Sequence, residues 1–298
     1  MAFLRAFGAY TPSRVVGNQE LADRLQCEPD WILQMSGISE RRYAADEETV
    51  IDLAIAAANQ CSLDQIGLVI VASGSAERRF PGPAAEVAMR LGMAGVPAID
   101  LPMASAGSIF GMALAARLAS VHGRVLLIAA EKMSAVVARE PMDRNIAMLF
   151  GDGAGACVID PTEGFAEIVD ARLHSDGSFA GDLRLEFDQP LHMDGRVVIL
   201  QASRKIPAAI QEVLGARPAS EVDVFLMHQA NQNLIVRVAK ALEVAPEKFY
   251  SNIARYGNTS SASMLIAASE WSFRPKQPVV FAGFGAGFHW GAVMAVGC

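Results

Sequence analysis

Three polar residues of this sequence have the chemistry and the setting of an active site. Ser105 and His228 each follow a short apolar segment, and Asn258 lies in the turn Tyr256–Ser260. A serine hydroxyl is a candidate nucleophile, and imidazole is the usual proton-transfer group near neutral pH. Catalytic groups collect where strands end and helices begin in an open α/β sheet. The sequence therefore predicts that Ser105, His228 and Asn258 belong to one site.

Each of the three residues also has a structural interpretation when it is considered alone. Ser105 fits the cap of a helix, His228 fits the end of a buried strand, and Asn258 fits a turn with a left-handed backbone. The motif His228–Asn231 followed thirty residues later by Gly257–Ser260 is much more specific than either motif by itself. The combination favours the catalytic interpretation.

Two glycine-rich segments lie beside these residues in the predicted order of elements. Phe150–Ala156 resembles a phosphate-binding loop but lacks the Gly-Lys-Ser/Thr ending, so we interpret it as a close-packing turn into a strand. Gly283–Phe288 follows an apolar strand and can present backbone amides to an oxyanion. Asp100 and Asp152 are predicted to have structural roles.

Composition limits the classes of protein that fit. The chain has 298 residues, a net charge of −7, 52% hydrophobic residues and 7% aromatic residues. This charge argues against a general nucleic-acid or anionic-membrane surface. No secretory signal, bilayer-spanning segment, disulfide spacing or metal-ligand spacing is evident. We expect a cytoplasmic protein that has no metal or tightly bound cofactor and binds neither nucleic acid nor membrane.

Strand and helix patterns alternate along the chain, which predicts a parallel or mixed sheet covered by helices. The strand of Val69 corresponds to that of Val224, and the strand of Val125 to that of Val279, at offsets of 155 and 154 residues. These offsets indicate a weak internal repeat with a division near residue 165, giving halves 1–165 and 166–298. The predicted elements of the first half are strands Ile66–Ala72, Ala98–Leu101, Val125–Ala130 and Ala154–Asp160 and helices Pro81–Arg90 and Ser105–Ala119.

Taken together, the motifs resemble the ketoacyl-ACP synthase III family of the thiolase superfamily over nearly the whole chain. The resemblance implies an α/β fold of two duplicated βαβαβαββ halves in α/β/α/β/α layers. The matching segments are Trp31, Ser36–Arg42, Phe80–Pro81, the Ser105 turn, Asp143–Arg144, Phe150–Gly155, His174–Gly177, His228–Asn231, Gly257–Thr259 and Phe288–Gly291.

The resemblance implies an acyltransferase that loads an acyl group from acyl-CoA onto its nucleophile. It then implies condensation of that group with a decarboxylated malonyl unit, carried by acyl carrier protein or by CoA. His228 and Asn258 resemble the pair that stabilises the resulting carbanion. The backbone amides of Ser105 and Ala286 resemble the oxyanion donors.

The resemblance also implies how the substrates and a second subunit are bound. Trp31, Arg144 and Asn231 resemble the CoA-binding residues, with the first two at the adenine end. Phe80 resembles a residue that reaches across a homodimer to shape the acyl pocket of the partner. The remaining expectation is that Arg237 and Lys240 provide positive charge for docking of the acyl carrier protein.

Several positions depart from the family pattern. Ser105 stands where the family has cysteine, and Ala286 where it usually has glycine. Met35 and Asn233 replace arginines often found near the CoA entrance and the carrier site, and the segment Gly181–Pro190 is shorter than usual. These departures leave the acceptor, the acyl chain and the pathway open.

Serine at the nucleophile position changes the expected balance of the reaction. A cysteine at a helix N-terminus ionises readily, whereas the Ser105 hydroxyl must lose its proton to a base, for which His228 is the evident candidate. The acyl ester that forms is a poorer electrophile than a thioester. Condensation is therefore expected to be slower relative to loading.

Four interpretations remain open at this stage. The serine belongs to a natural priming enzyme, or it replaces an original cysteine. Alternatively, the chain is an acyltransferase that makes esters or amides with His228 as base. It can also be the non-catalytic subunit of a heterodimeric condensing enzyme, although the presence of His228 and Asn258 counts against this.

Overall fold

A computed structural model of the chain describes all 298 residues and contains one nine-stranded sheet and two small two-stranded sheets. The chain contains thirteen strands. They are β1 Phe3–Tyr10, β2 Arg14–Gly17, β3 Glu40–Tyr43, β4 Ile66–Ala72, β5 Ala98–Leu101, β6 Arg124–Lys132, β7 Asp152–Asp160, β8 Ala166–Ser175, β9 Leu183–Arg184, β10 His192–Met193, β11 Val224–Met227, β12 Pro278–Gly285 and β13 His289–Gly297.

Eleven α-helices connect and cover these strands. They are α1 Asn18–Leu25, α2 Pro29–Ser36, α3 Val50–Ala58, α4 Ala84–Arg90, α5 Gly107–His122, α6 Met133–Val137, α7 Arg144–Ala147, α8 Gly195–Leu214, α9 Gln232–Ala241, α10 Ile253–Tyr256 and α11 Ser263–Ser269.

The strand order of the large sheet reflects a duplication. It runs β5-β4-β6-β7-β1 and continues as β8-β13-β12-β11, so that the first strand of each half lies at the centre. β1 and β8 are joined only through Phe3 and Leu4, which pair with Glu167 and Ala166. Outward from this join, β6 and β4 occupy the positions that β12 and β11 occupy on the other side. This arrangement agrees with the internal repeat predicted from the sequence.

The two halves of this sheet and three sets of helices form five layers. α5 and α11 lie in the middle and contact strands of both halves. α3 packs on β1, β6 and β7 of the first half, and α8 packs on β8, β12 and β13 of the second half. The observed architecture confirms the predicted α/β fold with α/β/α/β/α layering. The short connection of residues 161–165 lies between β7 and β8, and the division of the chain there stays a prediction.

Strand β6 shows why these segments form buried strands. Its apolar side chains alternate between two cores, as expected for a strand covered by helices on both faces. One set contributes to the core that surrounds α5 and α11, and the other contributes to the core beneath α3. The first set is Val125, Leu127 and Ala129, and the second is Leu126, Ile128 and Ala130.

Two predicted helices begin later than the sequence pattern indicated. The helix predicted from Pro81 begins at Ala84, because residues that precede a proline disfavour the helical conformation and Pro83 keeps Gly82 outside the helix. The helix predicted from Ser105 begins at Gly107, because Ser105 has a φ of 61°. A left-handed backbone cannot belong to a right-handed helix. The strands Ile66–Ala72 and Ala98–Leu101 were predicted with their observed bounds.

Close packing between the halves depends on glycines of the Phe150–Ala156 segment. A Cβ atom added to Gly155 would lie 2.5 Å from Cβ of Leu265 in α11. The prediction of close packing is therefore correct. The predicted turn is wrong for most of the segment, because β7 already begins at Asp152.

Candidate active site

Ser105 lies on the five-residue connection between β5 and α5. Its φ of 61° is uncommon for a residue with a side chain, and such conformations persist where the surrounding structure fixes them. The Ser105 amide donates to Oγ of Ser260 over 2.9 Å, and the two hydroxyl oxygens are 3.4 Å apart. The second half of the chain therefore holds the candidate nucleophile from the first half.

Gly285, at the end of β12, packs directly against this connection. A Cβ at Gly285 would lie 2.2 Å from the Ala104 carbonyl oxygen and 2.6 Å from the Ala106 nitrogen. Glycine is therefore required here for the approach of the two backbones. Ala286 follows immediately and is half-buried beside the Ser105 turn.

The segment Asn258–Ser263, here named the 258–263 turn, connects the predicted catalytic residues. Oδ1 of Asn258 accepts from the Ser260 amide over 2.9 Å, and Ser260 contacts Ser105 as described. Oγ of Ser263 lies 2.6 Å from Nδ1 of His228. The structure thus brings Ser105, His228 and Asn258 together through one turn.

Burial determines the charge state of His228. The side chain is 5% exposed, and desolvation lowers its pKa from 6.5 to about 4, so the imidazole is neutral at pH 7. Ser263 has one hydroxyl proton and two acceptors within reach, the Ser260 carbonyl at 3.0 Å and Nδ1 of His228. When this proton goes to Nδ1, Nε2 of the imidazole carries a proton and can donate to a carbonyl oxygen.

Asn258 keeps hydrogen-bonding capacity for a substrate. Its amide nitrogen has two protons, and one of them donates to the Ala230 carbonyl in a long contact of 3.4 Å. The side chain is buried, and its backbone is fixed by a bond from the Asn258 amide to the Leu149 carbonyl over 2.9 Å. His228 and Asn258 can therefore act as a pair of neutral donors toward a carbonyl that gains negative charge.

Glu131 is a buried polar residue of this region that was not predicted from the sequence. It is fully buried near the end of β6 and accepts from the hydroxyls of Ser75 and Ser261, each over 2.6 Å. The Gly74 amide donates to it as well, over 3.0 Å. Desolvation raises the pKa of this carboxyl. A charged residue directly after six buried apolar ones was the available sequence signal.

The predicted CoA-binding residues are only partly brought together. The guanidinium carbon of Arg144 lies 5.4 Å from the ring centroid of Trp31, a cation–π distance. Asn231 instead caps α9, where its Oδ1 accepts from the Asn233 amide, and its Nδ2 donates to the Met35 carbonyl. Its role in CoA binding stays a prediction.

Three of the remaining predicted residues, Phe80, Arg237 and Lys240, lie on the surface. The Phe80 side chain is 85% exposed. Arg237 and Lys240 are exposed on α9. The Ser105 amide, predicted as an oxyanion donor, is occupied by Ser260 in this structure. Asp100 and Asp152 bind backbone amides, of Ala84 and of Ser134 respectively.

The structure contains no group of three or more histidine, cysteine or acidic side chains positioned to bind a metal ion. None of its helices combines the length and apolar character needed to cross a membrane.

Known protein families match both halves of the chain. Residues 99–177 match the family described as 3-oxoacyl-[acyl-carrier-protein] synthase III, and residues 215–296 match its C-terminal family. The chain is 34% identical to beta-ketoacyl-[acyl-carrier-protein] synthase III 1 of Vibrio cholerae over 308 aligned positions, covering 96% of each chain.

Solved structures agree with this assignment. The crystal structure of 3-oxoacyl-[acyl-carrier-protein] synthase III from Aquifex aeolicus superposes with a TM-score of 0.93 at 32% identity, over 99% of this chain and 100% of the other. The priming beta-ketosynthase of the R1128 polyketide biosynthetic pathway superposes with a TM-score of 0.90 at 29% identity, over 99% and 96% of the two chains.

The depressed pKa of His228 predicts a specific dependence of stability on pH. Above about pH 6.5 the imidazole is neutral in both the folded and the unfolded chain. As the pH falls toward 4, only the unfolded chain takes up this proton, so the free energy of unfolding decreases. At pH 5 the loss should be roughly 2 kcal/mol. His228→Gln should remove this part of the loss.

The measurement is urea unfolding at pH 7.5 and at pH 5 for the wild type and the variant. Other buried groups titrate in both proteins, so the difference between them isolates His228. His192→Gln is the matched control, because His192 is exposed. An equal loss of stability in the wild type and in His228→Gln would contradict the prediction.

Proposed function

Because this chain belongs to the 3-oxoacyl-[acyl-carrier-protein] synthase III family, we propose that it primes a fatty acid or polyketide chain with Ser105 as its nucleophile. It is a condensing acyltransferase with the thiolase fold of that family. The proposed reaction transfers an acyl group from acyl-CoA to Ser105 and then joins it to the malonyl unit of malonyl-acyl carrier protein.

The observation that carries this proposal is the common attachment of three side chains to the 258–263 turn. Ser105 contacts this turn through Ser260, His228 contacts it through Ser263, and Asn258 is its first residue. A nucleophile and two neutral donors connected by one turn suit an acyl transfer followed by stabilisation of an enolate.

In the first step, the Ser105 hydroxyl attacks the thioester carbonyl of acyl-CoA. An ester bond forms at Oγ, the carbon–sulfur bond breaks, and CoA leaves as its thiol with the proton that Ser105 has lost. Serine needs a base for this step because its hydroxyl does not ionise near neutral pH, unlike the thiol of a cysteine at the same place.

In the second step, the malonyl thioester loses carbon dioxide and leaves a carbanion. His228 and Asn258 donate to the thioester oxygen on which the negative charge collects. The carbanion attacks the carbonyl carbon of the Ser105 ester, a carbon–carbon bond forms, the bond between that carbon and Oγ breaks, and Oγ takes a proton from solvent. The product is a 3-oxoacyl group on the carrier protein.

The CoA donor is expected to enter beside Trp31 and Arg144. Their cation–π contact forms a flat, positively charged surface that suits an adenine ring with nearby phosphates. Asn231 lies at the start of α9 beside Met35, which replaces an arginine of the family pattern. This departure supports a CoA contact with less positive charge than in the relatives.

A second candidate function follows from the serine itself. A carbanion attacks an acyl ester on Ser105 more slowly than it attacks a thioester, so transfer of the acyl group to an alcohol or an amine, with His228 as base, is the alternative. The hydrogen-bonded His228–Ser263 pair supports this candidate, because the imidazole also has a tautomer whose Nε2 accepts a proton. The same network counts against a non-catalytic subunit.

We expect Ser105 to be the residue that is acylated. Intact-protein mass after incubation with a panel of acyl-CoAs should show one adduct, which peptide mapping assigns to Ser105. Malonyl-acyl carrier protein should then discharge it as a 3-oxoacyl product. Ser105→Ala should form no adduct and lower the condensation rate by about 10³-fold or more.

Two further variants sharpen this test. Ser105→Cys should discharge faster, because a thioester is the better electrophile. Ser120→Ala, on the exposed surface of α5, is the control and should behave like the wild type. An adduct that only alcohols or amines discharge would support the second candidate, and the absence of an adduct with any donor would refute acylation of Ser105.

Docking of the carrier protein is proposed to involve Arg237 and Lys240 on α9. Both are exposed and neither takes part in an ion pair, although the chain as a whole has a net charge of −7. An acidic carrier domain would find complementary charge here.

Arg237→Glu should therefore raise KM for malonyl-acyl carrier protein several-fold, without changing the rate of acylation by acyl-CoA. The effect should diminish at high salt because exposed charges are screened. Arg117→Glu is the control, since Arg117 is exposed near the far end of α5 from Ser105. Equal KM values for the two variants would argue against docking on α9.

A homodimer is proposed to form through the free edge of β5. This strand pairs only with β4, and the apolar side chains near its edge are exposed, Phe80 by 85%, Met89 by 55% and Ile99 by 42%. An unpaired apolar edge is a template for pairing with a second copy. Phe80 would then lie against the partner, where we propose that it shapes the acyl pocket.

Ile99→Lys should convert the dimer into a monomer of 31.7 kDa in light scattering coupled to size-exclusion chromatography. The charge would lie unpaired in the proposed interface. Val121→Lys is the control, because Val121 is also apolar and 76% exposed but lies at the end of α5. A wild-type chain that elutes as a monomer would rule out this interface.

A further inference from the structure

The motif Ser36–Arg42 contains a charged side chain that the proposed reaction does not use. Arg41 is 0% exposed and is the largest fully buried side chain of the protein. Its guanidinium donates to the Val16 carbonyl over 3.3 Å, to Oδ1 of Asn18 over 2.8 Å and to the Met148 carbonyl over 2.9 Å. All three acceptors are uncharged. A guanidinium keeps its proton in proteins, so the fold contains a buried cation that no carboxylate compensates.

The cost of this burial indicates that more than filling of space is required here. An apolar side chain of similar volume would pack in a buried position without the loss of hydration that a charge incurs. The guanidinium instead offers donors in a fixed planar arrangement, which suits it to hold backbone carbonyls at defined positions. What Arg41 holds therefore decides what it does.

The Met148 carbonyl connects Arg41 with the backbone that carries Asn258. Met148 directly precedes the chain from Leu149 to Gly151, which binds Asn258 through both of its main-chain groups. The Asn258 amide donates to the Leu149 carbonyl over 2.9 Å, and the Gly151 amide donates to the Asn258 carbonyl over 3.0 Å. The position of Asn258 thus depends on a segment whose first neighbour is fixed by a buried guanidinium.

The aliphatic part of Arg41 packs against both sides of this pairing. A Cβ atom added to Gly151 would lie 3.0 Å from Cβ of Arg41, and one added to Gly257 would lie 3.2 Å from it. The motif is also bound to α10, because the Ser39 amide donates to the Ala254 carbonyl over 3.0 Å. Arg41 therefore contacts the pairing through its stem as well as through its charged end.

The other residues of the 258–263 turn are held by different partners. Ser260 contacts the nucleophile, Ser261 contacts the buried carboxyl group of β6, and Ser263 contacts the imidazole. The Nδ2 atom of Asn258 has only the long contact of 3.4 Å to a carbonyl, so its direction depends mainly on the backbone of Asn258. Loss of Arg41 should therefore displace Asn258 more than it displaces the nucleophile.

We propose that Arg41 positions Asn258 for stabilisation of the enolate, by fixing the Met148 carbonyl and with it the backbone paired to Asn258. The inference rests on the proposed function, since it presupposes that Asn258 donates to the malonyl thioester. Arg41 is fully buried and acts through Asn258, so it is a positioning residue. It contributes to decarboxylation and condensation and leaves the acylation of Ser105 unaffected.

The test measures both steps on the same preparation of each variant. Acylation of Ser105 by an acyl-CoA is followed by intact-protein mass, and the second step by release of carbon dioxide from malonyl-acyl carrier protein. Arg41→Met keeps most of the stem and removes the guanidinium. It should lower kcat for carbon dioxide release by about 10²-fold, since a displacement of about 1 Å has effects of this size. The acylation rate and KM for malonyl-acyl carrier protein should stay close to those of the wild type.

The ratio of the two rates is the readout that a merely structural role would not change. Unfolded protein lowers both rates in the same proportion, whereas a displaced Asn258 lowers only the second. Arg124→Met is the matched control, because the Arg124 side chain is only 17% exposed and binds Asp160 and the Asp64 carbonyl at the opposite end of β6 from Glu131. This control should unfold more easily and keep the wild-type ratio.

Two milder variants keep the test decisive if Arg41→Met does not fold. Arg41→Lys retains the charge but not the planar donors, so its loss of carbon dioxide release should be smaller than that of Arg41→Met. Asn18→Ala removes one acceptor of the guanidinium at a half-buried position, and it should lower the same step to a lesser degree.

The outcomes separate the role of Arg41 from the function on which it rests. Equal proportional losses of both steps in the Arg41 variants and Asn18→Ala would mean that Arg41 is only structural, while the proposed function would stand. Unchanged release of carbon dioxide in Arg41→Met would also overturn the positioning role. A wild type that forms no Ser105 adduct, or that releases no carbon dioxide from malonyl-acyl carrier protein, would refute the proposed function and this inference together.

Discussion

The site depends on the hydrogen bonds by which one short turn, Asn258–Ser263, connects strand ends from both halves of the molecule. Ser260 binds the Ser105 connection after β5, Ser261 binds Glu131 at the end of β6, and Ser263 binds His228 after β11. Each of these serine side chains is short and buried, so its hydroxyl has few alternative hydrogen-bond partners. A displacement of this turn would therefore disturb the nucleophile, the buried carboxyl group and the imidazole at the same time.

Burial has opposite consequences for the two titratable groups around this turn. Desolvation lowers the pKa of His228 and raises that of Glu131, because each charged form is disfavoured away from water. The imidazole is thereby kept neutral, and the carboxyl group becomes more basic than in water. Both shifts have the same physical cause, which is burial beside the 258–263 turn.

The duplicated architecture places residues of both halves at the candidate site. Ser105 and Glu131 come from the first half, while His228 and the 258–263 turn come from the second. The halves approach closely because glycines occupy the contacts, with Gly155 against Leu265 and Gly285 against the Ala104 carbonyl. A methyl group at either position would force the layers apart.

The α/β alternation, the internal repeat and the candidate residues Ser105, His228 and Asn258 could be predicted from the sequence, because apolar periodicity and short motifs are local signals. The positive φ that keeps Ser105 out of the helix and the position of Asn231 as the cap of α9 could not be predicted in this way, because both depend on packing against distant segments. The same holds for the hydrogen bond from the Ser261 hydroxyl to Glu131, which connects residues 130 positions apart in the chain. Hydrogen bonds between buried side chains so distant in the chain leave no periodic trace, because their geometry exists only when the layers have packed.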